Sequence, residues 1–413
     1  MNCVKTRIIT AFQWLVLSVA CGVVCGGGAI ALSALADAAC ALHTKAPWLV
    51  FLLPVCGCAT LALYRVTKTP FDLSTVDVLF CNRTKKEIPA RLAPCIMAGT
   101  ALSLLGGGSV GKEAAALQLG GALCAGASAH FSRLSAYKDT LVMAGIAAAF
   151  SALLFAPVTA VLFVAEVMRL KRKQVFSWRM LSVVIASFVA WGLSSVFDIG
   201  CLWDVLKDAP LNAPVFPAYT AEAVLLGLMA ALVGVSFVLV LKLTRTVCFT
   251  FIQNSAVRVI IGSVVVLCLL LVGAADYSGT GAVQITAALT GQVLPYEALA
   301  WKAALTVLCL GFGLKGGEIM PLLCMGACLG CSLGVMTGVD TAFLSAVGMV
   351  SLFATCTACP FAALALSVEA FGVSVLPCCV VAVFFACVFT RTFSLYNSGT
   401  WIIPFGKRKG QKP

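Results

Sequence analysis

Apolar residues run almost unbroken along this chain, and polar positions gather in short clusters between the runs. The first run extends from Ile8 to Ala36, about twice the length of a signal-peptide core. With Lys5 and Arg7 ahead of it, it reads as a long or tilted first helix that is retained. Runs of about 20 apolar residues are what a helix needs to span a bilayer. A dozen or more such segments fit into the chain. The clusters between them alternate in charge: Lys5 and Arg7, then Asp37, then Arg65, Lys68, Arg83, Lys85 and Lys86. Later come Arg169-Leu-Lys-Arg-Lys173, an acidic stretch with Asp198, Asp204 and Asp208, the basic Lys242, Arg245 and Arg258, then Asp276 and a basic tail after Phe405. Excess Lys and Arg marks cytoplasmic loops. The N-terminus, the Arg169–Lys173 loop and the C-terminus are therefore expected in the cytoplasm, with an even number of full crossings. The segments near 106–121 and 311–330 are candidates for half-crossing.

Composition sharpens the class. Hydrophobic residues make up 61 % of 413 and charged residues 11 %, and mean hydropathy is +1.05. Soluble domains carry about 25 % charged residues, so a soluble enzyme, a nucleic-acid binder and a disordered protein are excluded. The net charge of +12 reflects loop asymmetry rather than a nucleic-acid partner. The 21 cysteines and two histidines offer one C-x-x-C, Cys356 and Cys359, with no second pair at a zinc spacing. The cysteines read as small polarizable packing residues in a reduced environment. No metal or cofactor is expected.

The chain repeats itself. At an offset of 203, Gly145 falls on Gly348, Phe150 on Phe353, Pro157 on Pro360, Ala160 on Ala363 and Glu166 on Glu369. At an offset of 205, Gly108 falls on Gly313, Gly111 on Gly316, Glu113 on Glu318, Leu117 on Leu322 and Gly121 on Gly326. Repeated halves are a mark of transporters, whose broken helices aim N-termini at an anion near the membrane midplane. Both copies contain a glycine-rich break: Gly106-Gly-Gly-Ser-Val-Gly111 before Lys112-Glu113, and Gly311-Phe-Gly-Leu-Lys-Gly-Gly317 before Glu318. The expected fold is all-α and polytopic, with two inverted-topology repeats (about 47–198 and 257–400) in a single membrane domain, 1–413, without a soluble regulatory domain.

Four glutamates, Glu113, Glu166, Glu318 and Glu369, lie in apolar surroundings, where a carboxylate is costly and usually functional. Out of water the charged form is disfavoured, so such a group can take up and release a proton. Glu113 follows Lys112 at a helix start, in an anion-binding position. Protonated and swung away, it would admit a substrate anion, which couples protons to anions. An interfacial salt bridge to the Arg169–Lys173 run explains Glu166 at least as well as proton transfer, and the role of Glu369 stays open. Lys112 and Lys315, beside the breaks, look like charges that set the local field.

These residues resemble the CLC family of chloride channels and anion/proton antiporters. Gly111-Lys-Glu-Ala-Ala115 is similar to the family's G-[RK]-E-G-P, and Gly316-Gly-Glu-Ile-Met-Pro321 to G-G-x-F-x-P. The longest match runs from Ala144-Gly-Ile-Ala-Ala-Ala-Phe150 through Ala156-Pro-Val-Thr-Ala160 to Phe163-Val-Ala-Glu166. The resemblance covers about Arg65 to Tyr396. Gly317-Glu-Ile319, and Arg91-Leu-Ala-Pro94 leading to the first glycine break, look most like the bacterial fluoride/proton branch. The resemblance implies a homodimer with one pathway per subunit. It makes Glu113 the gating glutamate and Glu318 the second acid of that branch. Tyr396, in Arg391-Thr-Phe-Ser-Leu-Tyr, resembles the tyrosine that closes the anion site. The anion would be held by N–H groups near Gly317, Ile319 and Met320, with Lys112 close by. Counting back from Pro94 places the first anion motif in Phe71-Asp-Leu-Ser-Thr75, where Ser74 and Thr75 supply hydroxyls and Asp72 reads as a helix N-cap.

This sequence departs from the family at Ala114-Ala115, in place of G-P, and at Met320, where the fluoride branch usually has Thr. Val167 stands where the family's internal proton glutamate would be. The function expected is proton-coupled fluoride export across the bacterial inner membrane by a multi-pass protein with both termini cytoplasmic. The alternatives are a chloride/proton antiporter or passive chloride channel of the same fold. An intramembrane enzyme is remote, because no nucleophile or metal constellation accompanies the acids.

Overall fold

A computed structural model describes residues 2–81, 87–197, 202–204, 206, 211, 218–388 and 394–396. The charges at Arg83, Lys85, Lys86, Asp198, Asp208, Arg391 and the basic tail lie outside them. The described chain is helical, and two residues, Gly111 and Gly317, form an isolated antiparallel bridge. The helices are α1 (Asn2–Lys45), α2 (Leu53–Val66), α3 (Thr75–Leu79), α4 (Leu92–Leu105), α5 (Glu113–His130), α6 (Lys138–Leu154), α7 (Pro157–Val167) and α8 (Trp178–Val196). They continue as α9 (Thr220–Phe251), α10 (Ser255–Leu269), α11 (Ala282–Leu289), α12 (Ala298–Phe312), α13 (Ile319–Thr337), α14 (Thr341–Thr357), α15 (Pro360–Phe371) and α16 (Leu376–Val388); very short helical turns are left unnumbered. The first apolar run is one continuous helix, as its length requires.

Only part of the dozen apolar runs are long enough to cross. Among the described residues, six helical stretches are long and apolar enough for a membrane, Phe12–Lys45, Pro47–Val66, Trp178–Val196, Thr220–Phe251, Ser255–Leu289 and Ile319–Thr337. Others are short: α7 has 11 residues and α15 has 12. At 1.5 Å per residue they reach roughly 17 Å, about half of a hydrocarbon core of about 30 Å. What shortens them is local. Helix α6 ends on Phe155 and α14 on Ala358, both left-handed at φ 53 and 56. The next residues, Ala156 and Cys359, precede proline and leave the helical region, because the proline ring crowds the residue before it. Pro157 and Pro360 then open α7 and α15 at a position where the missing N–H costs nothing.

These paired breaks establish the repeat in three dimensions. Lys138–Leu154 maps onto Thr341–Thr357, and Pro157 onto Pro360, at the offset of 203. Equivalent helices α7 and α15 lie against each other and run antiparallel: the C-terminal Glu166 of α7 meets the start of α15, and the C-terminal Glu369 of α15 meets the start of α7. Such pairing is what two halves of opposite sense produce.

The first-half break segment and its helix keep a register to the second half that differs from the expected one by one residue. Gly120 of α5 abuts Gly145 of α6, where an added Cβ would come 2.1 Å from the Gly145 carbonyl oxygen. In the second half Gly326 abuts Gly348 in the same way. The break-and-helix segment therefore repeats at 206, not 205, as does the left-handed pair Gly107 and Gly313. Glu113 is equivalent to Ile319, and Glu318 to Lys112. Glycine and alanine matches are too frequent in such a sequence to fix a register to one residue, and pairing the two glutamates favoured the wrong one.

Small residues let these helices close up. Helix α13 is enclosed along most of its length, with Ile319 to Cys331 buried. The long helices α1, α9 and α10 expose apolar side chains, among them Val24, Leu232 and Val264, as a lipid-facing surface would.

Candidate ion pathway at the broken helices

The two glycine breaks meet inside the bundle. Gly111 N–H donates to the Gly317 carbonyl at 2.6 Å, and Gly317 N–H donates back to the Gly111 carbonyl at 2.7 Å. The bridge locks the two half-helix starts together, α5 from Glu113 and α13 from Ile319. Each begins with N–H groups that have no intrahelical partner and with the positive end of its dipole. Among the anion contacts expected from the resemblance, the Gly317 N–H is thus engaged by the backbone. Ile319 and Met320 occupy the first turn of α13, in the position to offer theirs.

Glu113 lies beside that turn. The residue is 1 % exposed, and its Oε2 is buried without a hydrogen-bond partner. A Cβ placed on Gly111 would lie 2.8 Å from this oxygen and 3.1 Å from the backbone nitrogen of Met320. Gly111 is therefore the thin wall against which the carboxyl group and the start of α13 both rest. Glycine is required here by close approach rather than by φ. A buried polar oxygen left unpaired costs about 1–3 kcal/mol, more if charged. A group kept in such a state is poised to move or to take a proton.

Glu318 points elsewhere, because one residue along a helix start turns the side chain by about 100°. It lines a small cavity of about 90 Å³ together with Ser74, Thr75, Gln118, Lys242, Arg245 and Lys315. Its carboxylate interacts with the Tyr396 hydroxyl, which is buried and makes no hydrogen bond of ordinary geometry. The Tyr396 ring stands edge-on to Phe163 at 5.8 Å. Two bonds to backbone carbonyls hold the segment in place: Leu395 N–H donates to the Cys356 carbonyl at 2.8 Å, and the Lys242 ammonium donates to the Ser394 carbonyl at 2.5 Å. Tyr396 also borders a larger cavity, of about 790 Å³, shared with Glu166, Thr357 and Phe384. The structure thus brings Glu318, Tyr396, Ser74 and Thr75 to one side of the helix starts, with Glu113 at their junction.

Several expected roles change. Ser74, not Asp72, caps α3, in a capping box with Asp77, so its hydroxyl is engaged. Asp72 pairs instead with Arg258 at 2.5 Å. The Thr75 hydroxyl accepts from Gln118 Nε2 at 2.9 Å. The Lys112 ammonium turns away from the break, donating to Ser33 at 2.7 Å and pairing with Asp37 of α1 at 2.7 Å. Lys315 donates to the Phe71 carbonyl and sits 3.9 Å from the Phe71 ring centre, which clamps the α2–α3 loop. Glu166 accepts from the N–H groups of Phe361 and Ala362 at 3.1 and 2.7 Å, a helix-start contact that the sequence did not suggest. Glu369 accepts from Val158 N–H, Thr159 N–H and the Thr159 hydroxyl, all at 2.7–2.8 Å.

Three functional candidates were not singled out from the sequence. Gln118, five residues beyond Glu113, has its Oε1 buried and unpartnered beside the small cavity; an isolated amide in an apolar helix was its only signal. Lys302 is fully buried and donates to the Tyr277 and Gly279 carbonyls, which shows it to be a backbone clamp. Asp37, read only as a loop charge, holds Lys112.

Two abutting half-helix starts with a buried carboxyl group, one oxygen of which lacks a partner, inside two antiparallel repeats, define a helical membrane transport protein of the anion-binding, broken-helix kind. Comparison with known proteins agrees. The voltage gated chloride channel family matches residues 79–391, and the chain belongs to that family. A chloride/fluoride channel protein of Pseudomonas syringae pv. tomato is 27 % identical over 383 residues, covering 90 % of this chain and 82 % of that one. The crystal structure of a CLC-type fluoride/proton antiporter superposes with a TM-score of 0.84 at 27 % identity, covering 94 % of this chain and 97 % of the other. A slow cyanobacterial Cl⁻/H⁺ antiporter, 18 % identical with a TM-score of 0.76 over 92 % and 93 % of the two chains, shares the fold.

Proposed function

We propose that this protein is an anion/proton antiporter that exports fluoride in exchange for protons. The observation that carries the reading is the buried Glu113 carboxyl group, whose Oε2 has no hydrogen-bond partner and rests against the start of α13. Ionised, it competes with a substrate anion for the positive end of α13; protonated, it gives up that place. Alternation between the two states couples one flux to the other. Fluoride is small and strongly hydrated, so it needs several close donors in place of water. The Ile319 and Met320 N–H groups and the Tyr396 hydroxyl are suited to supply them, with Glu318 as the second proton site beside Tyr396. The names carried by the Pseudomonas relative and by the fluoride/proton antiporter support the ion chosen.

The working unit in this reading is a homodimer in the bacterial inner membrane, with both termini cytoplasmic and one pathway in each single-domain subunit, built from repeats at about 47–198 and 257–400. Helices α7, α8, α15 and α16 pack on one another and expose Phe188, Trp191, Phe361 and Phe384, an apolar face suited to a second copy. The site offers transport chemistry rather than a catalytic nucleophile. A second reading, chloride/proton antiport or passive chloride flow, is favoured by Met320, whose side chain brings no hydroxyl to the anion.

Proteoliposomes loaded with fluoride or chloride, with external pH recorded, test the assignment. Fluoride efflux accompanied by proton uptake is expected, with chloride at least about tenfold slower, a difference of about 1.4 kcal/mol in barrier. Equal rates for the two ions refute fluoride selectivity, and fluoride efflux without proton movement refutes coupling.

A further inference from the structure

We propose that Cys21, Cys25 and Cys124 form a three-coordinate binding site for a soft monovalent metal ion, Cu(I). The site lies outside the ion pathway and does not rest on the transport reading. Cys21 and Cys25 stand four residues apart on one face of α1, and Cys124 meets them from α5. The Cys124 sulfur is 3.3 Å from that of Cys21 and 3.6 Å from that of Cys25, and all three lie within 4.8 Å of one another. A point equidistant from three sulfurs so spaced lies within about 2.4 Å of each, close to the metal–thiolate distance of about 2.3 Å known for a filled-shell ion. The triangle therefore needs almost no rearrangement to be loaded.

The donor set selects the ion. Three sulfurs, with no carboxylate or imidazole in the group, suit a soft ion and reject magnesium and calcium. Structural zinc takes four ligands; a three-cornered all-sulfur site fits Cu(I). All three residues are at least nine-tenths buried, against Gly145, where an added Cβ would come 2.5 Å from the Cys124 sulfur. Among the described residues this is the place where three potential ligands converge, although cysteines are scattered throughout the bundle. Cu(I) replaces thiol protons, which pass to solvent, so affinity rises with pH. Once loaded, the site ties α1 to α5, roughly 16 Å along the helix from Glu113. Sequence spacing concealed it because Cys124 is 99 residues from Cys25.

The test uses the full chain purified in detergent under reducing, oxygen-free conditions. Cu(I) is titrated against a bicinchoninate competitor. The intact protein is expected to retain one equivalent that Zn(II) does not displace. Cys25→Ser and Cys124→Ser should weaken it by at least about 100-fold, while Cys379→Ser, remote and buried, leaves it intact. X-ray absorption on the unmutated protein should count three sulfurs around copper, a readout that stands even if a variant folds poorly. No retained equivalent, unchanged binding in Cys124→Ser, or a copper centre with two sulfurs overturns the proposal.

Discussion

Removing Glu369 separates a structural carboxylate from a proton-carrying one. Its two oxygens take three donors at the start of α7, the Val158 and Thr159 N–H groups and the Thr159 hydroxyl. Hydrogen bonds to a charged group contribute about 1.5–3 kcal/mol each, so three give an upper limit of roughly 5–9 kcal/mol. The carboxylate is half-buried, Val158 is exposed, and water or headgroups can take over part of the load. That brings Glu369→Ala to a loss of about 2–4 kcal/mol, above the about 0.5–2 kcal/mol of an ordinary cap. Glu369→Gln keeps one acceptor and turns the other into a donor facing Thr159, so about half the loss should remain. Glu166 caps α15 in the mirrored way, through two N–H groups. The two caps sit at opposite ends of the helix pair, roughly 17 Å apart, so Glu166→Gln and Glu369→Gln should add within about 0.5 kcal/mol. Equilibrium unfolding in mixed micelles, followed by circular dichroism, gives the stabilities; proteoliposome flux gives the coupling. Unchanged stability in Glu369→Ala, or lost coupling in Glu369→Gln at full stability, would refute the capping role.

Glu113→Gln keeps size and removes the titrating charge, so proton movement coupled to fluoride should stop, leaving a passive flux or none; uphill proton transport driven by a fluoride gradient in this variant refutes the gating role. Gly111→Ala places a methyl group 2.8 Å from Glu113 Oε2 and from the Met320 Cβ; overpacking of about 1–3 kcal/mol should cut fluoride flux at least tenfold, and flux at the unmutated rate rejects the tight wall. Gln118→Leu removes the amide that donates to Thr75 and should slow fluoride flux at the small cavity while the purified protein keeps its helicity; flux within twofold of the unmutated protein assigns Gln118 to packing. Asp37→Asn removes the anionic partner of Lys112 and should shift the pH profile of transport; an unchanged profile at full stability limits the pair to holding α1.

The membrane class, the repeat and the two breaks are legible in the sequence because each is written in a residue type with one strong physical reason. Glycine clusters permit the close approach of Gly111 to Gly317, paired prolines open α7 and α15, and a carboxyl group in an apolar run must have a purpose. Long polar side chains are harder to place. Lys112 and Lys315 have stems long enough to carry the charge away from the break beside which they sit, and both do so, to Asp37 and to the Phe71 carbonyl. Asp72 and Ser74 are two residues apart, and either can cap a helix; which one does so depends on Arg258, which lies 186 residues away in the chain and draws Asp72 off. Partners so distant in sequence leave no local pattern. The same holds for the mutual capping of α7 and α15, where two glutamates with matching positions in the repeat proved to satisfy each other's helix.

A repeat register of 206 leaves the two acids at non-equivalent positions. Had the two acids occupied equivalent positions of the repeat, as an offset of 205 would require, Glu113 and Glu318 would face the same way about the pseudo-symmetry axis. Instead Glu113 is the first residue of its helix and Glu318 the residue before its own. A step of one residue turns the side chain through about 100°, so one acid rests against the opposite helix start while the other opens toward Ser74, Gln118 and Tyr396. The two acids therefore do not mirror each other across the bridged helix starts. In the antiport proposed above, a proton and an anion would contend for the same space at Glu113, while Glu318 would pass or receive the proton beside Tyr396. The backbone keeps the symmetry of the repeat at the breaks, and the placement of the two acids departs from it.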